Sequence, residues 1–113
     1  ALPILVSRFF TVVEGLQCME HTEINGSHIR VEDGKMYIWT IELIRLVRSR
    51  GGPGEGERFS SRAIASAAKD EECYLGEDRK AMGANGIRRR CHIFDIATAP
   101  EVIQNIAKFA SKY

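Results

Sequence analysis

Five cations crowd the stretch 79–90: Arg79, Lys80, Arg88, Arg89 and Arg90. Guanidinium and ammonium groups at this density bind phosphate, because each supplies a fixed charge and several hydrogen-bond donors to oxygen. Arg88, Arg89 and Arg90 are consecutive. On a strand, Arg88 and Arg90 project from one face and Arg89 from the other, so one buried face cannot hide all three. The remaining chemical candidates are weaker. Cys18 and His21 form a Cys-x-x-His, and Cys91 and His92 offer two more ligand types. Adjacent strand residues point to opposite faces, so only one of that second pair could join a zinc site, with His28 as the fourth ligand. The spacing is not that of a zinc finger, and no metal or cofactor is expected. Asp70, Glu71, Glu72, Glu77 and Asp78 lack the turn spacing of a calcium loop. No G-x-S-x-G or comparable signature marks a nucleophile, and nothing supports an enzyme built on Glu14, His21 or His28.

The elements that must carry these cations can be read from pattern. Ser60 or Ser61 can cap a helix whose Ala63, Ile64, Ala67 and Ala68 share a face. Leu75-Gly76 interrupts it. Glu77 and Asp78 then suit the positive end of a second, short helix over 77–86, closed by Gly83 to Gly86. Ile87 to Ile96 follows as a strand, with its basic part at 87–92. Helix, turn, helix and basic strand is the order of a winged helix-turn-helix. In that arrangement the second helix enters the major groove and the wing touches phosphates. Arg79, Lys80 and Asn85 would then approach bases, while Arg62, Arg88, Arg89 and Arg90 neutralise phosphates. Arg58 flanks the first helix.

Upstream, Pro3 to Leu16 reads as a helix with Leu5, Phe9, Val12, Val13 and Leu16 on one face. Ser27 to Trp39 reads as a hairpin around Asp33-Gly34. Its register pairs Glu32 with Lys35, Val31 with Met36, Arg30 with Tyr37 and Ile29 with Ile38. Ile29, Val31, Met36 and Ile38 then make one apolar face. Leu16 to Ile24 could add a third strand. Thr40 caps a helix over Ile41 to Arg50 with Ile41, Ile44 and Val47 as its stripe, widened by Leu43 and Leu46. Gly51 to Gly56 is a connector without the Lys-Ser/Thr ending of a phosphate loop. Thr98 caps a closing helix to Lys112, with Pro100 in its first turn.

The chain has 113 residues and a formal net charge of +1. That length supports one core, so a single small α+β domain is expected, helix-rich with a β-hairpin and winged-helix-like over 1–113. The charge excludes the overall basicity of many nucleic-acid binders and leaves local clustering as the basis of any such binding. Three cysteines without a disulfide context point to a reduced, intracellular protein, cytoplasmic or nuclear. Leu2 to Val6 is too short for a membrane span. The start at Ala1, without a methionine, is that expected of a fragment of a longer protein or of a processed one.

The run SRAIA at 61–65, with GEDRKAMGANGI at 76–87 and RRRCHIFDI at 88–96, resembles the winged-helix tails of phage and plasmid primase-helicase proteins. The sequence departs from them in placing the hairpin Ser27 to Trp39 before the helices. It also shows no obvious second wing strand after Ile96. A hairpin followed by a helix is similar as well to KilA-N-like phage DNA-binding modules. Both resemblances imply non-catalytic DNA binding; the partner expected is DNA, duplex in preference to single strands, and the setting a replication or transcription-regulating protein. The alternative is a protein-interaction or oligomerisation domain, a homo-oligomer or a dock for other domains of a parent chain. Phe10, Tyr37 and Trp39 would then be an exposed aromatic patch and the arginines would meet an acidic partner.

Overall fold

A computed structural model describes residues 2–18, 24–49 and 59–111. Helix α1, Ile4–Cys18, leads to the hairpin β1, Ile29–Glu32, and β2, Lys35–Ile38. Helices α2, Thr40–Ser49, and α3, Ser61–Ala68, follow. The long strands β3, Tyr74–Met82, and β4, Ile87–Asp95, precede the closing helix α4, Glu101–Ala110. The chain is therefore an α+β domain whose four strands make one antiparallel sheet in the order β1-β2-β4-β3.

The first hairpin has the register its alternation dictates, Ile29 opposite Ile38 through to Glu32 opposite Lys35. Asp33 at φ 53° and Gly34 at φ 73° supply the two left-handed residues that such a tight turn requires. Ile29, Met36 and Ile38 are buried on one face, and Phe94 of β4 joins them beside Met36. The helices cover this face. Phe10 of α1 meets Phe94 edge-to-face, with ring centres 5.2 Å apart, while Phe9 meets Phe59 at 5.4 Å. Helix α1 also touches α2, α3 and α4, which makes it the centre of the core. Its buried stripe includes Phe9, Val13 and Leu16, as the spacing predicts, together with Val6 and Phe10.

Several expectations need correction. The second helix over 77–86 is not formed: those residues are the outer half of β3 and the four-residue turn 83–86. The helix-turn-helix pair is therefore missing its second member, and α3 stands alone after its Ser60 cap, whose hydroxyl accepts from Ala63 N–H at 3.1 Å. No third strand joins the first hairpin at 16–18, because α1 runs on to Cys18. Ile24 is buried and Asn25 makes only an isolated bridge to Ile29. The stripe of α2 is rotated. Leu43, Ile44 and Val47 are buried, while Ile41 stays about half exposed. Thr98 is not the cap of α4. Pro100 holds that position without a side-chain bond, and the Thr98 hydroxyl donates to Asp95 at 3.0 Å. The connector 51–56, Arg58 and His21 fall outside the described residues.

The sheet curls strongly. Strands β1 and β3 are opposite edges by pairing order, yet Gly83 N–H donates to Gly26 O at 2.7 Å. Arg30 Nη1 also donates to Ala81 O at 2.9 Å, and Lys80 pairs with Glu32. The outer end of the β3–β4 hairpin thus folds back towards β1. Met82, Cys91 and Ile93 are buried on the concave face, apart from the main core.

Candidate nucleic-acid interface

Each strand of the β3–β4 hairpin runs nine residues, whereas β2 pairs only with Ile93's immediate neighbourhood, His92 to Asp95. Beyond Cys91 the hairpin is a two-stranded ribbon. Its register sets Arg79 opposite Arg90 and Ala81 opposite Arg88, so Arg79, Arg88 and Arg90 share one face. Lys80 stands opposite Arg89 on the other, concave face. Arg88 and Arg90 therefore lie together and Arg89 apart, as strand geometry predicts. Asn85 is exposed in the turn. Arg62 is exposed on α3, which packs against α1 and α2, so the hairpin does not carry it.

Both cross-strand pairs, Arg79 with Arg90 and Lys80 with Arg89, juxtapose like charges. Such pairs cost stability relative to neutral ones. Local acids relieve part of the repulsion. Arg90 Nε lies 3.3 Å from Glu77, and Glu32 takes both Lys80 and, at 3.5 Å, Arg30. Lys80 donating to Glu32 holds that carboxyl below its ordinary range. Among the described residues, Arg79, Arg88 and Arg89 have no carboxylate partner.

On the concave face the cations lie over aromatic rings. Lys80 Nζ is 4.9 Å from the centre of the Tyr37 ring, and the Arg89 guanidinium is 4.3 Å from that of Trp39. The His28 ring lies beside Trp39 at 5.7 Å and 31°. Tyr37 and Trp39 are half-buried and Phe10 is buried in the core, so the three do not form an exposed aromatic patch. Sequence reasoning missed the Trp39–Arg89 contact. Tyr37 and Trp39 share strand parity, a signal that they face the same way, but nothing in the sequence pairs β2 with β4, the pairing that sets Arg89 beside Trp39, and the helix expected over 77–86 hides the approach of Lys80 to Tyr37.

A buried polar chain anchors the ribbon. The Thr40 hydroxyl, at the start of α2, hydrogen-bonds His92 Nδ1, and His92 Nε2 lies 3.3 Å from Glu77, which also holds Arg90. Burial lowers the His92 pKa, and the neighbouring Glu77 carboxylate opposes that shift. Hydroxyl, imidazole and carboxylate in sequence resemble a nucleophile with its base and orienter. Thr40 is only 1% exposed, however, so no substrate reaches its oxygen and the chain acts as a brace. Cys91 lies on the opposite face, where burial pushes its thiol up to about 11, so it is a packing residue and not a nucleophile. No three His, Cys, Asp or Glu side chains among the described residues are grouped to hold a metal ion.

Side chains of β1, β3 and β4 engage the backbone of β3 at 79 and 81. Arg79 N–H donates to Asp78 Oδ1 at 2.8 Å, Arg79 O accepts from Arg88 at 3.3 Å, and Ala81 O accepts from Arg30. Edge groups engaged in this way cannot template a strand from a second molecule. No helix among the described residues is long and apolar enough to cross a membrane. Comparison of the chain with protein-family models, curated proteins and solved structures found no match.

Proposed function

We propose that this domain binds DNA without catalysis, as a part of a replication or regulatory protein, and does so through the β3–β4 ribbon instead of a recognition helix. The observation that carries the reading is the pair of like-charged cross-strand contacts, Arg79 with Arg90 and Lys80 with Arg89. A ribbon selected for stability alone would place opposite charges at those positions. An anion laid along the convex face eases the repulsion between Arg79 and Arg90 and uses Arg79 and Arg88, which have no carboxylate partner among the described residues. A two-stranded ribbon also fits the width of the major groove. Arg79, Arg88 and Arg90 would meet phosphates on the convex face, with Asn85 at the tip towards base edges.

The test is fluorescence anisotropy of a labelled random-sequence duplex, titrated from low to physiological salt. Wild type is compared with an Arg88→Ala, Arg89→Ala, Arg90→Ala triple variant. Salt-sensitive binding that the variant loses supports the reading. Absence of binding at low salt sinks it, and light scattering would then address a protein partner or self-association.

A further inference from the structure

The concave face of the ribbon holds a second arrangement that a duplex alone does not use. Trp39 follows β2 directly, lies outside the main hydrophobic core and is half-buried. Its indole N–H has no protein hydrogen-bond acceptor among the described residues. Arg89 lies over its ring and, among the described residues, makes no ion pair. A core tryptophan would be enclosed by apolar groups, and a surface arginine kept for solubility would not need a ring beneath it. Together the two form a cationic, aromatic platform, and the opposed Lys80, paired with Glu32, lies on the same face.

We infer that Trp39 and Arg89 form a stacking site for an unpaired nucleobase, so that the ligand class includes DNA with a single-stranded segment. Nucleobases stack on aromatic rings and on guanidinium planes alike, and they do so without sequence preference. Bases inside a duplex present only their edges, so this face distinguishes a single strand from paired DNA. The phosphate beside a stacked base would meet Lys80, whose ammonium group already spans Tyr37 and Glu32. The site stands on the face opposite Arg79, Arg88 and Arg90. It can therefore be filled while the convex face contacts duplex phosphates. The inference rests on the DNA-binding reading and deepens it.

Trp39 is the single tryptophan of the chain, so tryptophan emission, excited at wavelengths where the three tyrosines do not absorb, reports on this site alone. The full chain is titrated at low salt with an oligothymidylate and, separately, with a blunt duplex of equal length. Quenching of the emission by the oligothymidylate but not by the duplex is the expected result. By anisotropy of a labelled oligothymidylate, Trp39→Ala and Arg89→Ala should each weaken binding about tenfold, and Trp39→Phe should restore most of it. Arg89→Ala removes a half-buried side chain that makes no ion pair among the described residues and lies outside the core, which keeps the test valid if Trp39→Ala perturbs folding. Oligothymidylate binding with neither quenching nor loss on Arg89→Ala overturns the stacking site. Duplex binding without any oligothymidylate binding also overturns it, while leaving the convex-face reading intact. Binding of neither DNA overturns both.

Discussion

Replacing Arg79 by threonine separates function from folding more cleanly than any other change in the ribbon. The Arg79 side chain has no carboxylate partner among the described residues and faces Arg90 directly across the strand pair. Its backbone N–H is held by Asp78, a bond that threonine preserves. Removing one member of a like-charged pair should relieve about 0.2–1 kcal/mol. Threonine also suits a strand better than the straight-chain cation it replaces. Chemical denaturation should therefore give a stability equal to or slightly above wild type. Duplex binding should move the other way. Each phosphate contact contributes about 0.9 to the slope of log affinity against log salt. Three convex-face arginines then predict a loss of about 40-fold between 50 and 200 mM salt, of which one arginine accounts for about 3.5-fold. The assay is anisotropy with a labelled duplex over that salt range, paired with urea melts of both proteins. A variant destabilised by more than about 1 kcal/mol, with its salt slope unchanged, would show that Arg79 serves the fold, and the reasoning from like charges would fail.

Acid should destabilise the domain in two separate windows. His92 has a folded pKa below its ordinary 6.5, so the unfolded chain takes its proton first. Stability is then full above about pH 6.5 and falls as the pH drops below that value, and His92→Gln should flatten that part of a denaturation-against-pH curve. Glu32 is held below its ordinary 4.5, chiefly by Lys80 and also by Arg30, so its contribution is present above that value and lost as the pH falls further; Lys80→Met should shrink this lower step. With a thiol-reactive dye under native conditions, exposed Cys18 should react quickly, while buried Cys73 and Cys91 should wait for unfolding. Phe10→Ala should cost about 3–5 kcal/mol in thermal or chemical melts, because Phe10 is buried against Phe94. A near-neutral result would return Phe10 to the surface, where an interaction patch would need it.

Which parts of this fold were readable from the chain depended on whether a segment's two faces meet different surroundings. The hairpin 29–38 has one face in the core, so its apolar and polar residues alternate, and every pair in its register follows from that alternation and Asp33-Gly34. Helix α1 writes its burial in the same way, through Phe9, Val13 and Leu16. Strand β3 has no such contrast. Its outer half, Glu77 to Ala81, has solvent on one side and a charged concave face on the other, so neither parity is apolar. Glu, Arg, Lys, Ala and Met are all good helix formers, and local preference alone therefore points to a helix. Pairing with β4 overrides it. The signal that could have reversed the reading was the turn. Gly83 and Gly86, at φ 76° and 65°, bound a four-residue loop between two nine-residue runs, which is a hairpin loop as readily as a helix end.

The same misreading explains what was and was not legible in the candidate site. Arg88 and Arg90 were placed together, and Arg89 apart, because β4 itself was read as a strand. Arg79 and Lys80 were assigned to a helix whose residues would present them on neighbouring positions of one surface. On a strand they are split between faces, one joining Arg88 and Arg90, the other meeting Arg89. That split turns a single basic patch into two surfaces with different companions. The convex surface has arginines with one carboxylate among them, Glu77, and suits a phosphate backbone. The concave one has cations resting on Tyr37 and Trp39 and suits a base. No count of charges in the sequence distinguishes these cases, since both contain the same residues. The pairing of β2 with β4 sets Trp39 beside Arg89, and the curl that brings β3 back towards β1 sets Lys80 over Tyr37; the curl depends on contacts such as Gly83 with Gly26 that lie 57 residues apart in the chain.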